Sequence, residues 1–243
     1  MKTIFLLLSI LNSFFLIAQE DWHIINYDNY VPYTSMKLNY LLVTGNKVSY
    51  YFNVPKGFKA NPEILKKYIS PIRVIVVKRS FENEIITKEF NPENSDEVFY
   101  IKENLEGLVK WEIQNEKKQI LGYTCQKAIS NFRGRRYVAH FSSKLPISDG
   151  PFKYFNLPGL ILEVYSTDGF VKFSANSITK EHLKIDASSF EQLKPKYISY
   201  ESFKFQLAQI MAEKSKKYNS KASVDADGIQ SSVSFGIERI EKD

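Results

Sequence analysis

The residues of this chain able to do chemistry are few and scattered. His23, His140 and His182 lie far apart with no His-Glu-x-x-His spacing, and Cys125 is the single cysteine, so spacing assembles no zinc site. No two glycines stand as Gly-x-Gly, and both a dinucleotide fingerprint and a phosphate-cradling loop need close glycines ahead of a helix. Ser177-Ile178-Thr179-Lys180 has the Ser-x-x-Lys spacing, but that pair works when a helix holds the amine one turn from the hydroxyl, and here it ends a strand pattern. The expectation is a chain without cofactor, metal or catalytic residues, and not an enzyme.

Three groups remain as candidates. Cys125 sits in the alternating face Leu121, Tyr123, Cys125, Ile129 and reads as a small core residue; Lys127 on that face favours the other reading, a thiolate or an intermolecular disulfide. Arg133, Arg135 and Arg136 surround Gly134, either as a solvated hairpin tip or as a grip on the phosphate or carboxylate of a lipid head group. His140 is offset by one residue from Tyr137, Ala139 and Phe141, which points it to solvent, with ligand binding as the alternative.

The elements that carry these residues are mostly strands. Val48, Tyr50, Phe52 and Val54 alternate with polar neighbours, as do Val109, Trp111 and Ile113; Tyr137, Ala139 and Phe141; Leu160, Leu162 and Val164; and Val171, Phe173 and Ala175. Each is the period-two mark of a strand with one buried face. Thr44-Gly45-Asn46, Arg133-Gly134-Arg135 and Asp168-Gly169 supply hairpin turns, so neighbouring strands run antiparallel. Asn61-Pro62 offers an N-cap and a first-turn proline for a short helix to about Tyr68. Tyr200, Phe203, Leu207, Ile210 and Met211 recur at helical spacing after Ser199 and predict one amphipathic helix packed on the sheet.

Composition and the amino terminus set the location. Hydrophobic residues make up 44% of the 243 residues and charged ones 25%, which suits a globular chain. The formal charge of +6 would suit nucleic acid, but Lys2 precedes an apolar run from Ile4 to Ile17 that gives way to Glu20-Asp21, the layout of a secretory signal. Cleavage is expected after Ala18 or Gln19. No later apolar stretch is long enough for a membrane span. The expected order is a signal peptide over 1–19, one β-rich domain over 20–218 and a polar, mobile tail over 219–243, in which Val233, Phe235 and Ile237 would add an edge strand. Nucleic acid is not expected as a partner.

Trp111-Glu112-Ile113, the run Lys118 to Ala128, Leu145-Pro146-Ile147 with Gly150-Pro151, and Asn156-Leu157-Pro158-Gly159-Leu160-Ile161 with Leu162-Glu163 follow in order. Together they resemble the GLPGLI family of exported bacterial proteins, and Asn46 to Phe52 resembles that family's early strand more loosely. The resemblance implies export and brings no molecular function with it. Asn156 stands where the family's motif has its first glycine, and His140 where the family often has tryptophan. Asparagine accepts a left-handed backbone, so the turn at 156 survives. Pro158 and Gly159 read as a turn that launches the strand Leu160 to Val164 at a fixed angle; close approach of a bound molecule is the alternative.

The fold expected is mainly β: a curved antiparallel sheet or incomplete barrel, with one long C-terminal helix on its concave side. That layout resembles periplasmic lipoprotein-carrier folds. A curved sheet rich in Phe and Tyr lines an apolar cleft, so the function expected is a non-enzymatic envelope protein that binds a lipid-like or other apolar ligand. The alternative is an envelope protein-interaction module that adds a strand to a partner at a sheet edge or through its tail.

Overall fold

The computed structural model describes residues 20–30, 36–94, 96–185 and 195–221. The expected signal peptide and the strand over Val233 to Ile237 lie outside these residues.

Twelve strands among them form one open, curved sheet: β1 Glu20–Tyr30, β2 Lys37–Thr44, β3 Val48–Val54, β4 Val74–Arg79, β5 Glu84–Phe90, β6 Val98–Asn104, β7 Glu112–Ile120, β8 Tyr123–Phe132, β9 Arg135–Ser142, β10 Leu160–Ser166, β11 Lys172–Leu183 and β12 Tyr197–Ile198. Their order across the sheet is β12-β6-β5-β4-β3-β2-β1-β11-β10-β9-β8-β7. Every pairing is antiparallel except that of β12 with β6. The ends do not meet, so the sheet is not a closed barrel.

Cross-strand register separates the two faces, because residues directly opposite one another point the same way. Tyr27, Leu42, Tyr51, Val76 and Ile85 lie on the inner face with Tyr137, Ala139, Phe141 and Phe173. The bend towards this face is deep enough for Glu103 of β6 to reach Arg133, in the turn after β8, which lies nine places away in strand order. The outer face carries Trp22, Ile24, Leu41, Val43, Tyr50, Phe52, Val77 and Ile86. Over it lies α1, Pro62–Tyr68, whose Leu65, together with the C-cap residue Ile69, is buried there. Asn61 caps this helix, its Oδ1 accepting from the Ile64 N–H at 2.8 Å, and Pro62 fills a first-turn position where a missing N–H costs nothing.

The long helix α2, Tyr200–Lys221, packs Phe203 and Leu207 on Ile101 of β6. Ile101 lies opposite Thr87 and shares its face with Val76, so α2 sits on the inner face at its β6 end. The helix runs past the expected start of a polar tail at 219.

Several sequence expectations need correction. Beyond Cys125, the buried positions of β8 are Ala128, Ser130 and Phe132, which face inward opposite Ala139, Tyr137 and Arg135; Leu121 is exposed and Ile129 half-buried. Leu121 belongs instead to a two-residue hairpin with Gly122, both at positive φ (51° and 78°), which suits the twist of the flanking strands. Ile113 is also exposed, because β7 is the outermost strand on its side of the sheet.

Candidate functional site

The inner face is filled by the protein's own chain. Between β9 and β10, residues 143–159 fold down into the bend, and Phe152, Tyr154, Phe155 and Leu157 are all buried there. Tyr154 meets Tyr137 at 5.0 Å and Phe173 at 6.3 Å between ring centroids. Glycine and asparagine make this path possible. Asn156 has φ 69° and Gly159 φ 153°, and a Cβ on Gly159 would stand 2.2 Å from the Ser142 carbonyl oxygen. The backbone therefore passes where no side chain fits. Leu160 then donates to the Leu145 carbonyl and Ile161 to that of Asp149, both at 2.9 Å.

Buried polar contacts fasten the segment to the surrounding strands. Lys78 of β4 pairs with Asp149 and donates to the Gly150 carbonyl at 2.8 Å. Burial lowers the pKa of Lys78, with Asp149 opposing that shift. Lys153, 1% exposed, meets Glu103 of β6 at 3.1 Å. Tyr27 donates to the Ile161 carbonyl at 2.6 Å, and Trp111 Nε1 to that of Phe155 at 2.7 Å. Asn156 reaches the Val109 carbonyl at 3.4 Å. These anchors escaped sequence reasoning because Lys78 and Glu103 sit in ordinary alternating strands, with nothing to mark their partners.

The arginines do not form a cluster. Arg133 folds onto Glu103 and over the Tyr200 ring at 3.2 Å, and Arg135 is buried against Asp168 at 2.9 Å and the Phe170 ring. Consecutive strand positions point to opposite faces, so Arg135 and Arg136 part company at once. Only Arg136 is exposed, which corrects both the solvated tip and the shared grip on an anion.

His140 is a second correction. It lies on the outer face as its parity requires, but it is buried rather than solvent-facing. Its Nδ1 lies 3.1 Å from Glu163 Oε2, at an ion-pair distance without hydrogen-bond direction, and its ring stacks on Tyr165 at 6.2 Å. Lys118 also pairs with Glu163, and Ser174 Oγ lies 3.3 Å from the second carboxylate oxygen. Burial works against the ionised Glu163, but His140 and Lys118 outweigh it and hold the pKa at about 2. Cys125 borders this group, fully buried and free, its thiol pushed by burial up to about 11 against the pull of Lys118. A thiol so rarely ionised is a poor nucleophile. Glu163 is therefore the hub, between a histidine and a serine, and no base is set against a nucleophile there. Among the described residues no three His, Cys, Asp or Glu side chains gather to hold a metal ion.

An open recess adjoins Trp111, which bonds to the segment 143–159. Lys110, Trp111, Glu112, Ile129, Ser130, Asn131 and Arg136 line a groove of about 390 Å³ where β7 begins. A second, more apolar recess lined by Val74, Val77, Ile86 and Tyr100 has only about 30 Å³, room for roughly one water.

The fold has a counterpart among solved structures. PNGF-II, in its C2 and P21 crystal forms, superposes with TM-scores of 0.56 and 0.54 over 79% of this chain, at 19% identity. At that identity the likeness is one of fold alone. The chain spans about a third of PNGF-II, 33% and 34% in the two forms. MucB in complex with MucA(peri), and the LolA superfamily protein NE2245 from Nitrosomonas europaea, superpose only at TM-scores of 0.32 and 0.27, with 9% and 10% identity. No protein-family model and no curated protein sequence matches the chain.

Proposed function

We propose that the chain is an exported, non-enzymatic binding protein of the cell envelope, of the GLPGLI kind, whose recognition surface is the outside of a self-filled bowl. The observation that carries this reading is the occupied inner face. A cleft that worked on a substrate would keep that face open, whereas here Phe152, Tyr154, Phe155 and Leu157 occupy it. The buried charges support the same reading. Lys78 with Asp149, Lys153 and Arg133 with Glu103, and Arg135 with Asp168 each join separate elements, which holds the scaffold in one shape. The amino-terminal apolar run supports export.

A lipid-like ligand that entered the inner face would have to exchange with the four side chains there. Exposing them costs roughly 8 kcal/mol at about 2 kcal/mol each, and burial of a ligand methylene recovers about 0.8 kcal/mol. An acyl chain therefore breaks even only at about ten buried methylenes, and shorter apolar ligands do not bind there.

The test is native mass spectrometry of the chain purified from the envelope fraction, followed by binding and turnover measurements against envelope lipid, glycan and peptide fractions. A mass lacking residues 1–19, with saturable binding and no product formed, is the expected result. Turnover that disappears in Cys125→Ser or His140→Gln would overturn the reading.

A further inference from the structure

The groove at the start of β7 lies where the sheet leaves main-chain groups without a strand partner. The turn Arg133-Gly134 is a two-residue hairpin with both residues at positive φ, 46° and 69°, and it makes Phe132 and Arg135 the closing hydrogen-bonded pair. Pairs alternate along an antiparallel ladder, so the N–H and C=O of Asn131, opposite Arg136, point away from β9 and out past the β7 side. Pairing of β7 with β8 stops at Glu112 opposite Ile129. Two residues further along that register, Lys110 would face Asn131. It does not, because Trp111 Nε1 bonds to the Phe155 carbonyl and Asn156 to that of Val109, drawing 109–111 towards the motif segment. The motif segment thus holds open a gap in the sheet edge.

What lines the gap has a definite chemistry. Asn131 presents one donor and one acceptor at the spacing of an antiparallel neighbour. Trp111 and Ile129 are half-buried and form the apolar wall. Lys110 and Arg136 are exposed and carry no ion pair among the described residues, against one acid, Glu112. Tryptophan and arginine are the side chains that most often anchor a protein contact.

We propose that this groove receives an extended peptide segment, which adds two main-chain hydrogen bonds to Asn131 and places an acidic side chain against Arg136 and Lys110. This rests on the non-enzymatic binding reading and gives it a partner class. The rest of the β7 edge is a poor receptor. It is bulged between Ile113 and Lys117 and carries Glu112, Glu116, Lys117 and Lys118, the features that discourage strand addition. Recognition is therefore confined to the few residues beside Asn131.

The test is affinity selection of the mature chain against a randomised, end-blocked octapeptide library read by mass spectrometry. The expected outcome is enrichment of Asp and Glu, reversed to Lys and Arg in Arg136→Glu. Asn131→Pro removes the N–H that faces the groove and leaves the β8–β9 ladder intact, since Pro is tolerated where its nitrogen faces an open edge. It should weaken a selected peptide at least tenfold with an unchanged thermal midpoint, and N-methylation of the pairing amide in that peptide should do the same. Unaltered selection in Arg136→Glu, or equal affinity in Asn131→Pro, overturns the proposal. So does preferential binding of maltooligosaccharide or inorganic phosphate in the groove. Envelope binding that neither variant alters sinks the groove alone and leaves the wider reading standing, whereas turnover by the wild-type chain sinks the wider reading.

Discussion

Replacing Gly159 by alanine should be among the most damaging single-methyl changes the fold can suffer. Gly159 has φ 153°, a region nearly closed to residues with a side chain, at a cost of about 1–3 kcal/mol. The new Cβ would lie 2.2 Å from the Ser142 oxygen and 2.6 Å from its carbonyl carbon. Both are backbone atoms, so relief means moving β9 from the segment by ~1 Å, with an overpacking cost of about 1–3 kcal/mol. Together these give about 4 kcal/mol, a large share of the roughly 5–15 kcal/mol that holds a domain folded. Two other glycines separate the contributions. Gly150→Ala meets the Tyr154 oxygen at 2.6 Å and Ile161 Cβ at 2.8 Å without a positive φ and should cost about 2 kcal/mol. Gly169→Ala sits at φ 74° in open space and should cost about 1 kcal/mol. Equilibrium urea unfolding followed by fluorescence reads all three, because Trp111 is bonded to Phe155 of the segment itself. The reasoning fails if Gly159→Ala and Gly169→Ala lose the same stability.

Other consequences follow from the buried charges and the thiol. Lys78→Met leaves Asp149 buried without its partner and should cost about 3–5 kcal/mol, while the double change Lys78→Met with Asp149→Leu should cost less than the sum of the two singles in a thermal-unfolding cycle. Glu163 ionises at about 2 in the folded protein against 4.5 for a free glutamate. Its stabilisation is therefore complete above about pH 4.5 and is lost as pH falls from there towards 2. Glu163→Gln should be less stable at pH 7 by about 2 kcal/mol, after allowance for solvent screening, and should show a flatter loss of stability in acid, measured by urea titration at each pH. Cys125, buried with its thiol at about 11, should resist iodoacetamide at pH 8 in the folded chain and react fully in urea; rapid labelling of the native protein would contradict the burial argument.

The parts of the fold that could be read in advance are those governed by local rules. Asn61-Pro62 announced α1 because a cap and a first-turn proline act within one turn, and the run from Tyr200 announced α2 by its period. The strand β1 carried a weaker signal, because it buries apolar residues on both faces, Trp22 and Ile24 outside and Ile25 and Tyr27 inside, which blurs its alternation. His140 shows where alternation stops being informative. Period two tells which face a residue occupies, but not that Tyr165, Glu163 and Lys118 would close over that face. Pro146 and Pro151 made the segment 143–159 legible as a stiff connection, since each fixes its own φ without reference to the rest of the fold. Its Phe152, Tyr154, Phe155 and Leu157 follow no period, so their burial in the bend was not. The groove at Asn131 was equally hidden, since it exists because two bonds from the motif segment pull Val109 and Trp111 aside.

The pairing of β1 with β11 sets a schedule for how the molecule comes into being. Glu20 finds its neighbour at Leu183, so β1, the first of the described strands, is flanked on one side by β2, which follows it directly among the described strands, and on the other by a strand from far later in the chain. Contacts that far apart along a polypeptide form slowly, on millisecond-to-second or longer scales. Until β11 has emerged, the half-sheet from β1 to β6 has Ile25, Tyr27 and Tyr51 bare and an open margin at β1. Newborn copies are then most prone to stick to one another, and any escort that accompanies this chain must stay with it until β11 is made.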